Sequence, residues 1–257
     1  MIFFINFTPL TTATKLDNIG IVQLLLECPQ IDINSFYVFN FFHFYKIFNK
    51  KILQLLINRP EVKLGDKIFS DCQLLKEITI PSHITSLGKN SFEYCDALKK
   101  LDIQSVTSIG ESSFKDCYSL TEITLSSQLP RIEDSCFSVC SSLLKITIPS
   151  SVTHIGNSAF YGCSSLTEII IPSSVKFIGN NVFEECISLV KAIFPPNLNN
   201  IGNNTFFGCS SLIEFSIPSK VKKIGPNVFR KCSLEKIELP QNLTEIGENA
   251  FYGCLSL

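Results

Sequence analysis

The chain has no tryptophan, one methionine and three histidines among its 257 residues, and only 18% of them are charged. The scarcity of histidine bears directly on chemistry. His43, His83 and His154 fall at unrelated places in the sequence, and none is spaced to pair with a cysteine or to sit between a serine and an aspartate. There is no C-x-x-C pair; only Cys136 and Cys140 lie close, without partners to complete a zinc site. Glycines occur singly, so no loop is built to cradle phosphate. Neither a catalytic set nor a metal or cofactor site is expected, and the chain reads as a non-enzyme.

Other absences narrow the partners. With 22 basic and 23 acidic residues the formal charge is −1, so no cationic excess exists to neutralise a phosphate backbone, and nucleic acid is not an expected partner. No apolar run reaches the length of a membrane span. The first residues, MIFFINF, lack a basic flank, are interrupted by Asn6 and lead into Thr8-Pro9 without a small-residue cleavage site, so they do not read as a signal peptide. A cytoplasmic location is the expectation, with a cell-surface one as the alternative if the chain lacks its own leader or anchor. Sequons at Asn6, Asn203 and Asn242 matter only in that second case.

What the chain does have is a period. Phe69, Phe92, Phe114, Phe137, Phe160, Phe183, Phe206, Phe229 and Phe251 recur every 22 or 23 residues, and a cysteine follows each three residues later. A fixed repeat of this length predicts a stacked solenoid, in which each unit buries its apolar side chains only against its neighbours. Nine of the eleven cysteines belong to this column; Cys28 and Cys136 do not. Equivalent residues of adjacent coils lie about 5 Å apart, a distance that permits bridging, but a small buried thiol in the core is the favoured reading.

Within one repeat, such as FYGCSSLTEIIIPSSVKFIG from Phe160 to Gly179, the segment Leu-x-x-Ile-x-Ile-Pro predicts a strand. Leu120 to Leu125, Leu143 to Ile148 and Leu166 to Ile171 are examples, each with alternate residues turned inward. Proline ends the strand because it cannot extend a ladder. A second short apolar stretch follows, then a glycine suited to a turn, then Ala-Phe-x-x-Cys, which predicts a short helical turn carrying Phe and Cys inward. Residues 126–137 depart from the rule, with Ser126 and Glu133 at the proline and glycine positions, and a local irregularity is expected there.

The first 64 residues differ. Thr8-Pro9-Leu10, Ala13, Ile21-Val22, Leu24-Leu25-Leu26 and Ile31 to Asn34 resemble one ankyrin repeat, with Thr11 in place of its usual histidine. Lys51 to Pro60 predicts a second helix of the same kind. Between them, Phe36 to Phe48 carries eight aromatics in thirteen residues. It is either a degenerate repeat or a stretch never translated, and peptides found across it by mass spectrometry would decide. The domain division expected is therefore 1–64, ankyrin-like and helical, and 65–257, the repeat array of eight to nine coils.

The array pattern, Ile-Gly-x-x-x-Phe-x-x-Cys-x-Ser-Leu-x-x-Ile-x-Ile-Pro, resembles the BspA-like class of leucine-rich repeats. That resemblance implies a right-handed curved solenoid with a parallel sheet on its concave face. It also implies a role in binding proteins, either as an intracellular interaction scaffold or as a surface or secreted adhesin.

Two columns of the strand segment are candidate site residues. The residue before the first strand isoleucine runs Glu77, Lys100, Glu122, Lys145, Glu168, Lys191, Glu214, Lys236, alternating in sign at every coil. In a parallel stack each charge lies between two opposite ones, either as a self-neutralising ladder or as a polar docking strip. The other candidate is apolar: Ile170 and Ile193 in the next outward column, with Leu144, Val190 and Ile213 in the preceding one, form an island on an otherwise polar face. The partner-binding candidates are thus Ile170, Ile193, Leu144, Val190, Ile213, Glu122, Lys145, Glu168, Lys191 and Glu214. The sequence stops at Leu257 partway through a coil. Either it belongs to a longer product, or its open end pairs end to end with a second copy.

Overall fold

The computed structural model describes residues 12–13, 16–27 and 50–257. The aromatic stretch from Phe36 to Phe48, residues 8–11, Cys28 and His43 lie outside them. Two short helices come first, α1 (Ile19–Leu26) and α2 (Lys50–Ile57). Asn18 caps α1, its Oδ1 accepting from the Ile21 N–H at 3.0 Å. Helix α2 does more than pack on α1: it closes the first coil. Ile52, Leu53, Leu56 and Ile57 are fully buried in the same core as Phe69 and Leu75. The Gln54 amide donates to Thr79 O at 2.9 Å and accepts from Thr79 N–H at 3.2 Å, standing in for a neighbouring strand.

The rest is a parallel solenoid. Strands on one face are β2 (Lys100–Ile103), β4 (Glu122–Leu125), β7 (Glu168–Ile170), β9 (Lys191–Ile193), β11 (Glu214–Ser216) and β13 (Lys236–Glu238). Two-residue strands form a second face: β1 (Ser86–Leu87), β3 (Ser108–Ile109), β5 (Arg131–Ile132), β6 (His154–Ile155), β8 (Phe177–Ile178), β10 (Asn200–Ile201), β12 (Lys223–Ile224) and β14 (Glu245–Ile246). Every strand pairing among the described residues is parallel and joins one coil to the next, as the period requires. Alternation along β2 and β4 places Leu101, Ile103, Ile123 and Leu125 inward and the residues between them outward.

The third side of the coil was expected to be a helical turn and is not. Two residues per coil, four apart, have positive φ: Asn90 and Tyr94, Ser158 and Gly162, Asn204 and Gly208, and so on along the array. In this conformation every second N–H group points along the solenoid axis. Three donors per coil therefore reach the next coil, as with Ser158, Phe160 and Gly162 to the carbonyls of Asn180, Val182 and Glu184 at 2.8–3.0 Å. The same three bonds occur at each step from Lys67 to Tyr252. Asn, Asp and Gly tolerate these angles; Ser, Lys, Glu and Tyr residues take them here too, and Val139, at φ 59°, is the one β-branched residue among those described.

Phe and Cys point inward from this side as expected. From Phe92 to Phe251 successive rings stack at 5.4–5.7 Å with interplanar angles of 3–15°. Each cysteine after the first donates its S–H to the phenylalanine carbonyl of the preceding coil, as Cys163 does to Phe137 O at 3.2 Å and Cys186 to Phe160 O at 3.2 Å. That carbonyl already accepts the Cys N–H of its own coil, so the thiol satisfies its second lone pair. This explains why the column is cysteine and not alanine. The ten described cysteines are all free. Burial pushes the thiols of Cys72, Cys117 and Cys163 up to about 12, and those of Cys95, Cys140, Cys186 and Cys209 well above the ordinary range.

The irregularity expected at residues 126–137 is present. Ser126 closes the turn that proline closes elsewhere, its carbonyl accepting from Leu129 N–H at 3.1 Å as Pro149 accepts from Val152. The second face breaks between β3 and β5, and again between β8 and β10. Pro130 has no N–H to offer Thr107, whereas Thr153 donates to Pro130 O in the next coil. Glu133 also stands where glycine packs in other coils: a Cβ on Gly156 would lie 2.5 Å from Asp134 N, an approach that Glu133, with a Cβ of its own, cannot make. Directly after this coil, Leu143 to Ile148 keeps its inward residues but forms no strand, contrary to expectation.

Candidate interaction face

The alternating charges run along the face of β2, β4, β7, β9, β11 and β13, and the register sets three pairs of them side by side. Lys100 is opposite Glu122, Glu168 opposite Lys191, and Glu214 opposite Lys236. The ladder is not uniform, however. Lys100 Nζ meets Glu122 Oε2 at 2.7 Å, and Lys191 Nζ meets Glu168 Oε1 at 2.8 Å. Lys236 instead turns along its own strand to Glu238 at 2.7 Å. Lys145 and Glu214 form no ion pair among the described residues.

The electrostatics follow this geometry. The hydrogen bond from Lys100 holds the Glu122 carboxyl below its usual range, with Lys145 adding a weaker, longer-range contribution. The bond to Glu238 raises Lys236, with Glu214 contributing at a distance. These groups are exposed, so the pairs give little stability. Their consequence is a row of charge that is locally neutral except at Lys145 and Glu214.

The apolar candidates flank that row. Ile170 and Ile193 are register partners and are 54% and 42% exposed. On the other side of the charges, Leu144, Val190 and Ile213 are 55%, 48% and 43% exposed. Backbone bonds join their coils, Thr167 N–H to Leu144 O at 3.4 Å and Val190 N–H to Thr167 O at 2.9 Å. Ile170 and Ile193 on one side, and Leu144, Val190 and Ile213 on the other, interrupted by Thr167, thus flank the Glu168–Lys191 pair. Residues in the same columns outside this zone are polar: Thr79, Asp102, Thr124, Thr147, Ser216 and Glu238 in one, Lys99, Thr121 and Glu235 in the other.

One surface pair escaped the sequence reading: half-buried His154 and exposed Phe177. On the second face His154 and Phe177 are register partners, their rings 6.1 Å apart, with Thr153 Oγ1 2.8 Å from His154 Nδ1. Its signal was available in the outward column Ser86, Ser108, Arg131, His154, Phe177, Asn200. Among the described residues no three His, Cys, Asp or Glu side chains come together as metal ligands, and no described helix is long and apolar enough to cross a membrane.

Comparison with known proteins covers most of the array. The pattern described as the BspA type Leucine rich repeat region, in six copies, matches residues 40–156 and 131–257. Among solved structures, the chain is similar to the T. pallidum leucine-rich repeat protein TpLRR, with 27% identity, a TM-score of 0.50, and coverage of 76% of this chain and 71% of that one. It is also similar in fold to the pneumococcal vaccine antigen PcpA, with 22% identity, a TM-score of 0.54, and coverage of 76% and 58%. No curated protein matches the chain.

Proposed function

The chain belongs to the BspA-type leucine-rich repeat family, and from that premise we propose that it is a non-catalytic scaffold binding a protein through the face that carries Ile170 and Ile193. The observation that carries this reading is the pair of exposed apolar rows around an internally neutralised charge row. A strand column that is Thr, Asp, Ser or Glu elsewhere becomes Ile at two adjacent coils, and both side chains stand about half exposed. Apolar area with a depleted net charge and a polar surround is the composition of an interface centre. We place the protein in the cytoplasm, where its free thiols would persist.

A second reading, a surface or secreted adhesin, uses the same face in another compartment and draws on the fold shared with the pneumococcal antigen. Protease accessibility on intact cells separates the two.

The test of the face is the double variant Ile170→Thr, Ile193→Thr, which copies the threonine this column holds at Thr124 and Thr147. With the full chain as bait, recovery of partners from lysate falls by about tenfold or more if the isoleucines are central to the contact. Unchanged recovery overturns the proposal.

A further inference from the structure

We infer that this face pairs with the same face of a second copy of the chain, about a two-fold axis running along the strands between β7 and β9. The inference rests on the reading of that face as a protein-binding surface and names its partner. The argument is one of charge and apolar complementarity under symmetry. Face-to-face pairing of two identical sheets requires a two-fold axis lying in the plane between them. An axis along the solenoid would set every coil against itself, Glu168 on Glu168 and Lys191 on Lys191, which like charges forbid. An axis along the strands but through a coil has the same fault.

An axis along the strands and midway between two coils does the opposite. Because the sign alternates at each coil, every charge then meets its opposite. Which midpoint is used is decided by the apolar rows. Midway between β7 and β9, Ile170 faces Ile193 of the other copy and Leu144 faces Ile213, each contact made twice. Shifted by one coil, Ile170 would face Glu238. At the chosen midpoint the two unpaired charges fall into place as well. Lys145 and Glu214 stand one coil outside the Glu168–Lys191 pair on either side, about 14 Å apart at the usual strand spacing. Lys145 of one copy meets Glu214 of the other, twice, so the groups left without ion pairs in one chain are supplied by the second. The paired Glu168 and Lys191 of both copies close into a four-charge ring beside the isoleucines, between the two apolar rows. The patch is small, so the dimer belongs to the weak, concentration-dependent class.

Sedimentation equilibrium of the full chain, from dilute to the highest soluble concentration, tests this. A reversible monomer–dimer equilibrium is expected. Lys145→Glu sets Glu against Glu214, and Glu214→Lys sets Lys against Lys145; each alone should weaken dimerisation by about tenfold or more. The double variant Lys145→Glu, Glu214→Lys reverses both pairs and restores the dimer. Mixing the two single variants restores it too, since each now offers what the other needs. Neither residue touches the core, and circular dichroism verifies that the variants fold. A monomer at all concentrations overturns the inference, as does a dimer indifferent to both single variants or unrestored by the swap. A photo-cross-linker at position 193 distinguishes this failure from that of the face itself. Cross-links to a different protein in lysate leave the binding face standing without the dimer, and no cross-link to any protein removes both.

Discussion

The turn side and the strand sides of this solenoid obey different rules. On the turn side three N–H donors cross each coil boundary without a gap from Lys67 to Tyr252, the phenylalanine rings stack in register, and the thiols bond back to the coil before. On the strand sides the sheets break into pairs and triplets, the outward residues change chemistry from coil to coil, and two segments, Leu75 to Ile80 and Leu143 to Ile148, form no strand at all. The turn side holds the stack together. That frees the strand faces to vary, and their variation is where an interaction surface can be written without cost to the fold. This division is open to attack from either side.

The largest effect expected is on pH dependence. Unfolded thiols titrate near about 8.5, whereas Cys72, Cys117 and Cys163 are raised by burial to about 12 in the fold. Between those values the unfolded chain loses protons that the folded chain retains, so stability falls as pH rises above about 8.5 and is independent of the thiols below it. Each buried thiol steepens the fall by up to about 1.4 kcal/mol per pH unit. Urea denaturation followed by far-ultraviolet circular dichroism should show a steep alkaline loss, made shallower by Cys140→Ala with Cys163→Ala. An unchanged slope would show that the thiol column does not control it.

Next in size is Phe160→Ala, which removes a fully buried ring from between Phe137 and Phe183. The expected loss is about 3–5 kcal/mol. Because each coil touches only its neighbours, the defect should also split the denaturation curve into two transitions. A single transition with a small loss would mean that the strand sides carry more of the cohesion than the bonding pattern indicates.

A gain is expected on the same side from Val139→Gly. Val139 holds φ 59° in a column where Gly162, Gly208 and Gly253 stand. Relief of a left-handed β-branched residue is worth about 1 kcal/mol, offset in part by the loss of a half-buried side chain. A rise in melting temperature checks it.

The phenylalanine period makes the solenoid, the inward columns and the two strand faces legible from sequence, because each follows from spacing alone. The turn geometry is not legible in the same way. Ala-Phe-x-x-Cys satisfies a helical spacing, and the contrary hint, Asn or Ser two residues before most of the phenylalanines, has meaning only once the left-handed angles are known. The thiol–carbonyl bonds depend on where Sγ sits over the preceding coil, which no single repeat reveals. Alternation of charge was readable, but which members pair was not. Lys236 prefers Glu238 on its own strand, and Lys145 follows the coil disturbed by Pro130 and Glu133. The expected strand at Leu143 to Ile148 is absent beside that same disturbance, a tertiary effect that the local pattern does not carry.

The smallest effect expected is the sharpest test of the division. Ile170→Thr with Ile193→Thr alters two exposed side chains, in strands whose inward residues, Ile169, Ile171, Ala192 and Phe194, are untouched. Threonine keeps the β-branched shape that a strand favours, and the cross-strand pair remains a contact between like side chains. Stability should therefore stay within about 0.5 kcal/mol of the parent, measured by the midpoint of urea denaturation, while recovery of the partner falls. If instead the midpoint drops by as much as a core substitution, the two isoleucines are holding β7 against β9. They would then belong to the fold, and the apolar rows would lose their claim to be a binding surface. A neutral midpoint leaves them with no structural duty, and the exposure of adjacent isoleucines is then explained only by something that covers them.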